Sequence, residues 1–206
     1  AYSSVNHMGY VLLGMAAVIA ASGMNGDNLI SAQAGINGAV FQMFNHGTIS
    51  AMLFILVGVI YDRAHHRDIE GFGGLATQMP IYTGFVAVAF FAGLGLPGFS
   101  GFVSEFMIFI GAFPVFKTIV IISTIGILLN AAYFLWAFQR MFFGPANEKY
   151  NELPEINKRE LFTVIPLAVI TLILGIYPRP FLDMISVTMN VLIEQVVSLG
   201  GLASVM

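Results

Sequence analysis

Charge is almost absent from this chain, and what there is stands in two places. Eight basic and eleven acidic side chains serve 206 residues, 9% of the sequence against about 25% in a soluble domain. Residues 61–70 hold Asp62, Arg63, Arg67, Asp68 and Glu70. Residues 140–160 hold Arg140, Glu148, Lys149, Glu152, Glu155, Lys158, Arg159 and Glu160. Elsewhere there are only Asp27, Glu105, Lys117, Arg179, Asp183 and Glu194. So few charges cannot cover the surface of a soluble protein, which rules out an ordinary cytosolic enzyme. Apolar stretches between charged windows are what a bilayer demands of spanning helices. The expected fold is therefore all-α, a polytopic transmembrane helix bundle.

Other classes fall away on composition. A net charge of −3 provides no basic field, so no nucleic-acid partner is expected. With no cysteine there are no disulfides, thiolate nucleophiles, thiolate zinc sites or cysteine-held iron–sulfur clusters.

The pattern predicts spanning elements at about 1–22, 33–61, 79–113, 117–143 and 160–177. Together they form a bundle over 1–180, with a polar loop around Asn25–Asn28 and a kink at Pro166. Residues 181–206 read as a C-terminal surface or amphipathic segment. The first element starts in mid-pattern without a basic flank, so it does not read as a signal peptide. The expectation is the C-terminal part of a longer chain.

The third element is too long for one straight crossing. Residues 81–113 would reach about 50 Å, against a hydrocarbon core of about 30 Å. Its middle, Gly93-Leu-Gly-Leu-Pro-Gly-Phe-Ser-Gly101, must interrupt a helix. Two short crossings, or one crossing broken at 95–101, would both fit. As two crossings, Lys and Arg divide evenly across the membrane. As one, Arg63, Arg67, Arg140, Lys149, Lys158 and Arg159 share a side and only Lys117 and Arg179 oppose them. The positive-inside rule favours the single broken crossing and puts both charged loops in the cytoplasm or organelle matrix. Lipid cannot satisfy backbone exposed at a break, so the break must face protein or a wet cavity.

Glu105, just after the break, is the only charged residue well inside an apolar stretch. A charge at the bilayer centre costs about 2.5–3.5 kcal/mol on insertion scales, so one that persists there usually has work to do. Loss of water favours its neutral form, and the nearby helix N-terminus favours its anion, which suits a group that loads and unloads a proton. Gln42, His46 and Ser50 recur every four residues and make a polar stripe on the second element. Ser3, His7 and Tyr10 make one on the first, and Ser123, Asn130 and Tyr133 a weaker one on the fourth. Singly, such a stripe is more often packing glue than a pathway. Beside a broken helix with a buried acid they suggest a polar axis in which His46 and His7 relay protons. His65 and His66 lie in a charged loop and read as solvated, and no metal site is expected.

These residues bring a resemblance into view. Ala1-Tyr-Ser-Ser-Val-Asn-His-Met-Gly9 resembles the AYSSxxHMG segment of the antiporter-like membrane subunits of respiratory complex I. Asn45-His-Gly with Leu53-Phe-Ile-Leu-Val-Gly58, the loop Tyr61–Asp68 with Gly73-Gly-Leu75, and Gly95–Phe106 are similar to the family's next helix, charged loop and broken-helix motif. Phe142-Phe-Gly144, and Arg159–Phe162 with Gly175–Pro178, fit as well. Ser50 and Glu105 stand where other branches of the family carry lysines, so the pattern resembles the subunit M branch, called subunit four in mitochondria.

The resemblance implies the last five helices of a fourteen-helix subunit that moves protons and carries no redox centre. NADH, FMN, iron–sulfur clusters and quinone would be bound by other subunits. Glu105 would be the terminal proton carrier, with His46 and His7 on the axis leading to it. The implied partners are other complex I membrane subunits, especially adjacent antiporter-like ones, and the lipid bilayer. The implied location is a bacterial plasma membrane in preference to an organellar inner membrane or thylakoid. A homologous subunit of a membrane-bound hydrogenase or multisubunit cation/proton antiporter stays open, as does a scaffold bundle that conducts nothing.

Overall fold

A computed structural model describes residues 2–22, 26–147, 150 and 153–203. Ala1, Asn25, Glu148, Lys149, Glu152 and the last residues of the C-terminal segment, 204–206, lie outside the described residues. Eight α-helices are described, with no strand among the described residues: α1 Tyr2–Ala21, α2 Gly26–Ala64, α3 Leu75–Gln78, α4 Pro80–Gly93, α5 Ser100–Ala112, α6 Lys117–Phe142, α7 Lys158–Ile176 and α8 Arg179–Ala203. Among the described residues α1, α2, α6, α7 and residues 179–198 of α8 are long and apolar enough to cross a membrane.

Helix α2 is the spine. It begins at Gly26, so residues that read as a polar loop form its first turn, where Asp27 suits the positive helix end. Its 39 residues make a rod of about 58 Å. It stops at Ala64 because His65 adopts a left-handed conformation, φ 56°.

Helices α4 and α5 lie end to end along α2, as one crossing. The contacts advance in register. A Cβ on Gly35 would touch Gly111 at 3.4 Å, and one on Gly38 would meet the Ile108 nitrogen at 2.9 Å. Asn45 bonds to Ser100 and Ser104. Ile49 packs beside both Gly93 and Gly101, and the Tyr82 hydroxyl donates to the Leu56 carbonyl at 3.0 Å. Glycines let these backbones meet at this distance.

The break is a structured turn that caps the last carbonyls of α4. The Leu94 N–H donates to Phe90 O, Gly95 to Ala92 O and Leu96 to Phe91 O. With Gly95 at φ +77° this is a Schellman cap. The last carbonyl of α4, Gly93, takes the Asn130 amide of α6 at 2.7 Å. The carbonyls that end α4 are thus paired within the protein.

Two apolar clusters flank the break. One joins Met52, Leu56, Val59, Tyr82, Val86, Phe138 and Phe142 towards the charged loops. The other joins Tyr10, Ala17, Ile36, Ala39, Ile108, Val120 and Ile193 at the opposite end. Helix α7 starts with a reciprocal Asn157–Glu160 capping box and contains Pro166. Its Gly175 lies so close to the break that a Cβ would sit 2.5 Å from Phe99 Cα. Helix α8 rests on α2 through Phe181, stacked near Phe41 and Phe44 with ring centroids 5.0 and 4.7 Å apart.

The charged loops are knitted to each other. Glu155 accepts the first N–H groups of α4, Ile81 at 2.9 Å and Tyr82 at 3.0 Å. It thus supplies a cap that Met79, at the N-cap position, has no side chain to provide. His66 departs from the expectation of a solvated residue. Its ring stacks on Phe72, 4.4 Å between centroids, and bonds to the Tyr150 hydroxyl. His65 is exposed.

Candidate functional site

Glu105 sits in the second turn of α5, and helical side chains lean towards the N-terminus. Its carboxylate therefore reaches back into the break, so close to Gly95 that a Cβ there would lie 2.6 Å from Oε2. Glu105 is buried, 5% exposed. Its Oε1 lies 3.5 Å from Nε2 of His7 on α1, itself 4% exposed. His46 of α2 follows, its ring edge-on to His7 with centroids 5.7 Å apart. Glu105, His7 and His46, from three helices, thus stand in a row at the level of the break.

Two hydrogen-bonded branches leave this row. From His46, Nε2 meets Ser4 Oγ at 3.0 Å and Ser50 Oγ at 3.3 Å. From His7, Nε2 faces the Asn130 amide at 3.4 Å, and the Tyr133 hydroxyl donates to Asn130 Oδ1. Ser4, Ser50 and Tyr133 all line one half-open cavity of about 600 Å³, lined elsewhere chiefly by apolar side chains such as Leu53, Phe54 and Trp136.

A second polar knot lies on the other face of α5. Asn45 Nδ2 donates to Ser100 O and to Ser104 Oγ, both at 2.9 Å, and Ser104 donates to Gln42 Oε1. Asn45 Oδ1 is buried without a partner. Gln42 therefore leaves the stripe it shares in sequence with His46 and Ser50, while those two stay together. Asn130 and Tyr133 enter the network around His7, and Ser123 makes no side-chain hydrogen bond among those described. Asn45, Ser100 and Ser104 were missed by periodicity, although Gln42 and Asn45 stand three residues apart on one face. Among the described residues no three His, Asp or Glu side chains converge so as to hold a metal ion.

Comparison with known proteins shows the family. Residues 1–130 match the family model described as NADH:quinone oxidoreductase/Mrp antiporter, transmembrane. NADH-quinone oxidoreductase subunit M of Rhodobacter capsulatus is 42% identical over 205 residues, covering 98% of this chain and 38% of that protein. F(420)H(2) dehydrogenase subunit M of Methanosarcina mazei is 40% identical, covering 89% and 34%. A subunit of respiratory complex I from Thermus thermophilus superposes with a TM-score of 0.75 at 25% identity, covering 96% of this chain and 38% of that one. The chain spans little more than a third of the length of these proteins. With its apolar helices, the match makes it a multi-pass membrane protein. The chain belongs to the NADH:quinone oxidoreductase/Mrp antiporter transmembrane family, as an antiporter-like subunit of the subunit M kind.

Proposed function

We propose that this chain conducts protons in the membrane arm of an NADH–quinone oxidoreductase, with Glu105 as the terminal carrier and His7 and His46 as relays. The observation that carries the reading is the row itself: a buried carboxylate set in a helix break, then two imidazoles, then serines opening on a cavity. Each member can gain or lose a proton at an oxygen or nitrogen, and neighbours are close: 3.5 Å from Glu105 to His7 and 5.7 Å between the two imidazole centroids.

In this reading the chain itself binds no NADH, FMN, iron–sulfur cluster or quinone, and other subunits hold them. A relative that acts with F(420)H(2) supports that division, because similar helices serve a complex with a different electron donor. The partners are neighbouring membrane subunits, above all antiporter-like ones, and lipid. Exposed apolar side chains on α6 and α7, such as Ile122, Leu128, Phe162 and Ile173, suit both. A bacterial plasma membrane with the charged loops on the cytoplasmic side agrees with the Lys and Arg distribution.

The test is replacement of Glu105 in the full complex, reconstituted in vesicles and driven by NADH. Glu105→Gln should remove the greater part of proton pumping and Glu105→Asp should keep some, with or without sodium. Pumping at the unmodified level in Glu105→Gln would refute the carrier role. Pumping that vanishes without sodium would favour the cation antiporter relatives.

A further inference from the structure

The side chain between the proton row and the broken helix is Asn130. It is 1% exposed and touches three elements. Its orientation is settled by its partners: the Gly93 carbonyl can only accept, so Nδ2 must face it, at 2.7 Å, and Oδ1 is left to the Tyr133 hydroxyl. Nδ2 also lies 3.4 Å from His7 Nε2 and can donate to it when that nitrogen is bare, the proton of a neutral His7 then being on Nδ1. Glu105 Oε1 addresses the same Nε2 at 3.5 Å.

Resting on the proton-carrier reading above, we propose that Asn130 is a positioning residue for proton exchange between Glu105 and His7. It holds His7 Nε2 bare and the proton on Glu105, and it ties that state to the last carbonyl of the first half-helix. In the exchange the Glu105 O–H bond breaks and an N–H bond forms at Nε2, leaving a carboxylate and an imidazolium. The new N–H then opposes the Asn130 N–H and turns to Glu105 or to the Gly93 carbonyl, which also faces the His7 ring. Asn130 must yield, and its other hydrogen is the cap of α4. Moving the proton therefore loosens the break, and restoring the break returns the proton. The other titratable groups around His7 are Tyr10 on its own helix, His46 on α2, Glu105 on α5 and Tyr133 on α6.

The experiment is infrared difference spectroscopy on the full complex near neutral pH. It follows the carboxylic-acid carbonyl band that disappears in Glu105→Gln, together with the pH profile of pumping. Asn130→Leu removes the donor and should cost the greater part of that band and displace the profile. Asn130→Gln keeps a donor and should restore part of both. Tyr133→Phe frees Oδ1 and should weaken the band less. A band of unmodified height in Asn130→Leu, or in Tyr133→Phe should the leucine variant fail to assemble, overturns the proposal while leaving Glu105 as carrier. Absence of any Glu105-dependent band removes the carrier reading, and the role of Asn130 with it.

Discussion

Arg63 and Glu160 meet through a two-pronged contact at 3.0 and 2.8 Å. Arg63 gives its other N–H groups to the carbonyls of Val59, Pro154 and Glu155, so all five guanidinium hydrogens are used. His7 and Glu105, the buried pair at the break, approach only to 3.5 Å. The first pair clamps the ends of α2 and α7 between fixed charges. The second is a single longer contact, which in the proposed function would share one proton. A fully satisfied ion pair resists any change of protonation, whereas a carrier must be nearly as comfortable with its proton as without it. The chain builds rigidity at its loop end and leaves freedom at its break.

That contrast can be broken from either side. The largest loss of stability should come from Arg63→Ala. It leaves a half-buried Glu160 carboxylate without its cation and the loop carbonyls without their donors, and should cost about 2 kcal/mol. The check is the thermal stability of the complex and the amount assembled, and an unchanged complex would show that the clamp carries no weight. Gly95→Ala comes next. Its Cβ would lie 2.6 Å from Glu105 Oε2, at a φ of +77° that itself costs about 1–2 kcal/mol. Pumping should fall more than assembly does, and the reverse order would place Glu105 in a purely structural role. Glu155→Gln sharpens the clamp side: losing the charge on the α4 cap should cost about 1 kcal/mol, read as a small drop in melting temperature.

The scarcity of charge and the glycines around Pro97 are one-dimensional facts, and they carry far. They point to a helical membrane bundle, to a break expected at 95–101 that the fold places at 94–99, and to Glu105 as the lone acid at depth. His7 and His46 are legible as members of polar stripes. What is not legible is pairing between distant segments. Arg63 finds Glu160 across 97 residues and Glu155 caps a helix 74 residues away, while a sequence shows all three only as loop charges. His66 looks solvated until Phe72 and Tyr150 are folded against it. The early start of α2 is hidden for a different reason. Gly26-Asp27-Asn28 has the composition of a turn, and the same Asp that favours turns also favours a helix N-terminus. The Gln42–Asn45–Ser104 knot escapes because it forms between α2 and α5, a pairing that no single helix period reveals.

The most direct measurement is the number of protons translocated per NADH oxidised, in vesicles of the full complex carrying Glu105→Gln or Arg63→Ala. The account predicts that Glu105→Gln assembles normally and pumps fewer protons per NADH. It predicts that Arg63→Ala assembles poorly, and that the complexes which do form keep the unmodified ratio. An unmodified ratio in Glu105→Gln would contradict it.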